Sequence, residues 1–294
     1  MTKLQSLAMS LSLGLLALAG AMSGAPIAQA GPVESTPAAK PLPGQYSSFV
    51  LAISHEAQFC HYLPETRECQ AGAGMAGMVL HGLWPNQSDD PRHNYQYCEL
   101  SREQTRDWCS PAIDVRGHLS ERTLDRLSDV MPGVLSCLYN HEWYAHGTCS
   151  GLNLNDYFMD AAELAARFRA LPSFNRFVQG AAGRIVSRGQ ILQAIAADLG
   201  PRAMDSVVPL CQTDKATGRV RFAELDITLN RNNFWRFPNP SSLGPSGPAL
   251  GHDGMSVVRD RGNCPDFGIQ VAEPVTPAMA KKLAAQKADR RPPR

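Results

Sequence analysis

Short unbroken apolar runs mark the first half of the chain: Phe49-Val50-Leu51-Ala52-Ile53, then Gly77-Met78-Val79-Leu80 leading straight into His81-Gly82-Leu83-Trp84. Runs of this length, rich in β-branched residues, predict buried strands. The second would place His81 at the end of a rigid element. Helical spacing follows. Ser120 caps a run through Glu121, Leu124 and Leu127, and the apolar stretch from Val134 leads helically into His141. Asn155 or Asp156 caps Phe158, Ala162, Leu164, Ala165 and Phe168, and Ser187 caps Ile191, Leu192, Ile195 and Leu199. Val207 to Cys211 and Arg219 to Leu229 then flank Asp214-Lys215-Ala216-Thr217-Gly218, a hairpin pattern. Strands at both ends with helices between them predict an α+β fold: one domain with a central, mainly antiparallel β-sheet packed by several helices.

The ends read differently from this body. Residues 1–30 carry Lys3, an apolar stretch from Leu11 to Ala19 and the small-x-small triplet Ala28-Gln29-Ala30, which predicts a signal peptide cleaved after Ala30. No later run is apolar enough to predict a membrane span. Residues 31–44 predict a flexible leader, 45–271 the catalytic domain, and 272–294 a basic disordered tail. After Ala280 that tail holds six Lys or Arg against Asp289, so the net charge of +1 conceals an acidic body. Any polyanion must then be met by a local positive groove. The expected location is the periplasm or the medium. There all eight cysteines, Cys60, Cys69, Cys98, Cys109, Cys137, Cys149, Cys211 and Cys264, are expected in disulfides. None shows the Cys-x-x-Cys spacing of a zinc ribbon.

Candidate chemistry concentrates in His81-Gly82-Leu83-Trp84-Pro85 and His141-Glu142-Trp143-Tyr144-Ala145-His146-Gly147-Thr148-Cys149. The second resembles the His-Glu-x-x-His helix of zinc proteases. Its histidines are five apart, however, about 140° round an α-helix, whereas zincin ligands are four apart. Helical spacing instead pairs Glu142 with His146, where a carboxylate orients an imidazole and favours its protonated form. His55, His61, His93, His118 and His252 lie in no such segment and are expected in surface or loop positions.

Together these two segments, in this order, resemble the signature of the ribonuclease T2 family. The exported context, the cysteines flanking the first segment and the late Cys211 and Cys264 extend the likeness over most of the body. The resemblance implies metal-independent, cofactor-free endonucleolytic cleavage of single-stranded RNA through a 2′,3′-cyclic phosphate, with low base specificity, by a monomer needing no protein partner. It implies His146 as base, His81 as acid, a protonated His141 holding the phosphate, and Glu142 in support. For base binding it points to Trp84, Asn86 and Tyr95, with Tyr97 as a further stacking candidate; Trp143 and the tyrosines could equally be core residues. It also implies disulfides Cys98–Cys149 and Cys211–Cys264, with Cys60–Cys69 and Cys109–Cys137 as the remaining two. The family commonly carries Lys immediately before the final His of the second segment, where this chain has Ala145. That departure supports a rival reading, a T2-fold RNA-binding or toxin module with weak catalysis. A second rival is a metallohydrolase built on His141, Glu142 and His146, which the five-residue spacing disfavours.

Overall fold

The structure, a computed structural model, describes residues 42–87, 95–215, 217–245 and 261–289. Its seven strands are β1 (Ser48–His55), β2 (Met78–Asn86), β3 (Ile185–Val186), β4 (Val207–Thr213), β5 (Val220–Asn230), β6 (Arg261–Asn263) and β7 (Ile269–Gln270). The α-helices are α1 (Glu56–Tyr62), α2 (Arg67–Gln70), α3 (Glu121–Val130), α4 (Leu138–Glu142), α5 (Thr148–Ser150), α6 (Leu154–Arg169), α7 (Pro172–Ala181), α8 (Arg188–Leu199), α9 (Ala203–Ser206) and α10 (Pro277–Asp289). The main sheet runs β2-β1-β5-β4-β6 with every pair antiparallel; β7 joins β5 in parallel and pairs with β3. This is the expected α+β domain.

Strand alternation sends Phe49, Leu51 and Ile53 of β1, and Leu225, Ile227 and Leu229 of β5, into one core with Tyr157, Phe158, Leu164 and Phe168 of α6. The opposite face, with Ala52, Ser54 and Thr228, is left for other work. Ser120 and Ser187 cap α3 and α8 as read from sequence, the latter in a capping box with Gln190. The cap of α6 is Asn153, not Asn155 or Asp156: its side chain accepts from the Asp156 amide, which starts the helix two or three residues earlier.

All four expected disulfides are present. The ends need correction. Leu42 and Gly44, placed in a flexible leader, are fastened: Tyr95 Oη donates to the Leu42 carbonyl, and the Gly44 amide donates to the Cys149 carbonyl at 2.9 Å. The expected signal peptide and residues 31–41 lie outside the described residues, as do His93 and His252. The expected disordered tail is helical over Pro277–Asp289. Val275 and Ala280 are wholly buried in a small cluster with the Cys60–Cys69 disulfide, and Lys287 Nζ reaches Glu65 Oε1 at 2.8 Å. A short apolar stripe was enough to dock a segment whose composition reads as solvated. His55 is likewise no surface residue, since it ends β1 buried and stacked on Phe222 at 5.8 Å.

Two predictions follow from these burials. Ala280→Asp puts an unpaired charge against the Cys60–Cys69 cluster and is expected to cost about 2 kcal/mol or more; an unchanged urea midpoint would show that α10 contributes nothing to stability. Burial pushes the His55 ring from 6.5 down to about 4, so below pH 6.5 the unfolded chain takes up a proton that the native protein refuses. This contribution to stability is complete above pH 6.5 and is lost as pH falls towards 4. The slope is at most about 1.4 kcal/mol per pH unit, and urea titrations of His55→Phe should be flatter over that interval.

Candidate active site

A skipped residue sets the first histidine. Along β2 the partners run Ala52↔Gly82 and then Ile53↔Leu80, so His81 is the extra residue of a β-bulge. Bulges re-aim side chains and occur beside active sites. Two strands away, β5 has its own register shift: Leu210 faces Glu224 and Cys211 faces Phe222, with Ala223 skipped. Glu224 lies opposite Ser54 of the intervening β1. The two bulged strands bring His81 Nδ1 to 2.8 Å from Glu224 Oε2, the oxygen that also accepts from Ser54 Oγ at 2.5 Å.

The second segment lies along the open edge of the sheet, beside β2. It is preceded by Cys137, held in the left-handed region at φ 63° and bonded to Cys109, and ends at Cys149, bonded to Cys98. Between them, α4 passes at Trp143 into a π-helical turn over Trp143–Gly147. A π turn closes i to i+5, not i to i+4, and that overturns two expectations. His141 and His146 are not on opposing sides: their ring centroids are 5.9 Å apart. Nor does Glu142 serve His146 as a helical partner. Its Oε2 accepts from Trp84 Nε1 at 2.8 Å, and its Oε1 lies 3.6 Å from His81 Nε2. Donor atoms of His141, Glu142 and His146 all fall within 4.8 Å of one another, a span an ion could bridge, so the spacing argument against a metal no longer holds.

Glu142 is fully buried. Desolvation pushes its carboxyl well above the usual carboxylate range and the charge of Glu224 pushes the same way, while the Trp84 N–H opposes both. His81 stands between these two buried acids. Burial drives the His141 ring down to about 3, helped by the charges of His81 and Arg102. Burial thus works against the protonated His141 that the resemblance implies and favours a neutral ring near pH 7.

Trp84 is the hub of the cluster: His146 stacks on its ring and His81 meets it edge-on, both with centroids 5.1 Å away. Gly82 makes this fit, because a Cβ there would overlap both Glu142 Oε2 and Trp84 Nε1. Two expected base binders are placed elsewhere. Asn86 is buried at the end of β2, where its carbonyl accepts from the Ser47 amide at 3.0 Å. Tyr95 is buried, its hydroxyl tied to Leu42 and accepting from the Gln45 amide at 2.7 Å, because an aromatic beside the Cys98–Cys149 bridge closes the core there. Trp143 packs on Tyr157 and Phe158 as core.

Four neighbours of the site went unrecognised in the sequence: Trp108, Arg102, Arg106 and Glu224. Trp108 stacks on His141 at 4.2 Å. With Tyr97, Arg102 and Arg106 it lines an open cavity of about 610 Å³. The only sequence signal of Glu224 is a carboxylate on the polar side of an alternating strand. Ala145 is wholly buried and carries no charge into the site, its carbonyl accepting from the Tyr97 amide at 2.9 Å.

Known proteins share this arrangement of elements. The ribonuclease T2 family profile matches residues 46–236. Ribonuclease I of Escherichia coli (strain K12) is 26% identical over 232 residues, which is 68% of this chain and 85% of that protein. A ribonuclease of Aeromonas hydrophila is 31% identical over 128 residues, covering 41% of this chain and 46% of its own length. Among solved structures, human RNase T2 superposes with a TM-score of 0.50 at 16% identity, covering 78% of this chain and 99% of that one. The SF11-RNase associated with self-incompatibility in Nicotiana alata gives the same score and identity over 78% and 100%. At such identity these structures speak for the fold alone.

The Gly82 contact is open to a direct check. Gly82→Ala should displace Glu142 or Trp84 at a cost of about 1–3 kcal/mol, with a changed near-UV tryptophan signal. Wild-type stability and spectrum would show that the carboxylate is not held against the strand.

Proposed function

The chain belongs to the ribonuclease T2 family and is a T2-type endoribonuclease; from this membership and the site's geometry we propose that it cleaves single-stranded RNA by metal-independent transphosphorylation with little base specificity. The observation that carries the reading is the meeting of His81, from a strand bulge, and His146, from a π turn, around one tryptophan ring. A base and an acid for in-line displacement must approach the phosphorus from different sides, which separate elements supply.

In this scheme His146 takes the proton of the ribose 2′-hydroxyl as the O2′–P bond forms. His81 gives its Nε2 proton to the 5′-oxygen as the P–O5′ bond breaks, leaving a 2′,3′-cyclic phosphate. His141 donates an N–H to the phosphate, and the arriving anion raises its affinity for a proton. The charge that a Lys at position 145 would bring is absent. Arg102, whose field reaches His141, is a cation that could serve the phosphorane instead. Trp108 and Tyr97 beside the open cavity offer faces on which any base can stack. With Asn86 and Tyr95 buried, the expected low base specificity gains support. Four disulfides and the leader pattern of residues 1–30 favour export to the periplasm or the medium, as a monomer. Among the described residues no helix is long and apolar enough to cross a membrane.

The buried, uncharged Ala145 favours a second reading, an RNA-binding T2 fold with weak catalysis. One assay separates the two. Purified protein given RNA in the presence of EDTA should release fragments with 2′,3′-cyclic ends and leave a 2′-deoxy analogue intact, and His81→Phe and His146→Phe should lose about 10²–10⁴-fold in turnover while still binding RNA. Cleavage of the deoxy analogue, or activity abolished by EDTA and restored by zinc, would overturn the mechanism. RNA binding without turnover would establish the second reading.

A further inference from the structure

Glu224 lies far in sequence from both histidine segments, is fully buried, and touches the histidine that the proposed mechanism uses as acid. A carboxylate is expensive to bury and persists where it is hydrogen-bonded or paired. Here two donors converge on one oxygen. Ser54 Oγ reaches Oε2 from β1 at 2.5 Å, and His81 Nδ1 reaches it from β2 at 2.8 Å. Since an ionised carboxylate only accepts, the Nδ1 position must carry a proton, which fixes the tautomer and turns Nε2 towards Glu142 and the open site.

We propose that Glu224 is a positioning residue for catalysis: through its bond to Nδ1 it holds His81 as an imidazolium with the Nε2 proton aimed at the leaving 5′-oxygen, supplying through this ring positive charge that the chain lacks at position 145. The proposal rests on His81 being the acid. As the P–O5′ bond breaks, the Nε2 proton passes to the 5′-oxygen and the ring is left neutral, still donating Nδ1–H to Glu224. No proton leaves the carboxylate in this step. Ser54 completes the chain by fixing the carboxylate oxygen, so Ser54, Glu224 and His81 form a line across β1, β5 and β2. Among the described residues, Glu142 and His141 are ionisable groups beside His81, and His146 faces the same tryptophan ring. Glu142 is also buried and anionic when ionised, so the imidazolium stands between two acids.

A positioning role of this kind should depend on the leaving group. A ribonucleoside 3′-phosphate ester of 4-nitrophenol expels a weakly basic phenolate that needs no protonation, whereas a dinucleotide expels an alkoxide that does. Glu224→Gln, which keeps the shape and the Ser54 bond, should lower kcat on uridylyl-adenosine by about 10²-fold with little change in KM, and should be nearly wild-type on the nitrophenyl ester. Equal loss on both substrates, or loss on neither, would overturn the proposal. His81→Phe on the same two substrates separates this outcome from a failure of the underlying mechanism. If His81→Phe loses equally on both, His81 is not the acid. If only His81→Phe shows the leaving-group dependence, the mechanism stands and the role of Glu224 falls. A measurement on the unaltered protein guards against a misfolded variant: proton NMR should show a far-downfield, slowly exchanging imidazole proton that is missing from His81→Phe. Its absence from the wild type would overturn the Nδ1–Glu224 bond itself.

Discussion

Taking the carboxylate of Glu142 out of water is the constraint around which the site is organised. A buried acid needs donors and room, and each requirement is met by a different part of β2. Trp84 supplies the N–H, Gly82 supplies the room by having no side chain, and His81 supplies an adjacent base. The three lie within four consecutive residues because a strand end projects alternate side chains to one face while the bulge adds His81 to that face. Thus the segment His81-Gly82-Leu83-Trp84 is a receptor for one side chain of the other signature segment before it is anything for a substrate. Leu83, pointing the other way, fastens the same strand to the core.

What could be read in the sequence was what is local. Strands of four or more apolar residues, serine caps at Ser120 and Ser187, and the hairpin around Asp214 to Gly218 depend on neighbours a few positions away, and they appear where expected. The histidines of the two signature segments were legible from their order and spacing. Less legible were relations set by distance. Glu224 joins the site only because β5 lies beside β1 and β1 beside β2, with a register shift on each side, and no short pattern encodes that. His55 reverses its expected exposure, and Tyr95 takes the core role that stood beside base binding, because tertiary packing, not polarity, decides the burial of an amphipathic ring.

The π turn shows a different limit. Reading residues 141–146 at 100° per residue gives a definite geometry, and the observed positions of His141, Glu142 and His146 depart from it for one reason: one residue more is wound into the turn than an α-helix holds. The α10 segment erred the other way. Its lysines and alanines suggested solvent, yet a single stripe of Val275, Met279, Ala280 and Leu283 sufficed to seat it against the Cys60–Cys69 bridge.

Because the π turn stores one surplus residue, the second signature segment carries a latent deletion. Loss of any one residue between Trp143 and Gly147 would let the backbone relax into an uninterrupted α-helix with better hydrogen-bond geometry, between disulfides that tether its two ends. Such a change would be easy for the fold to absorb and ruinous for the site, since it would swing His146 round the helix and away from Trp84. For this stretch of chain, length therefore constrains the site independently of composition.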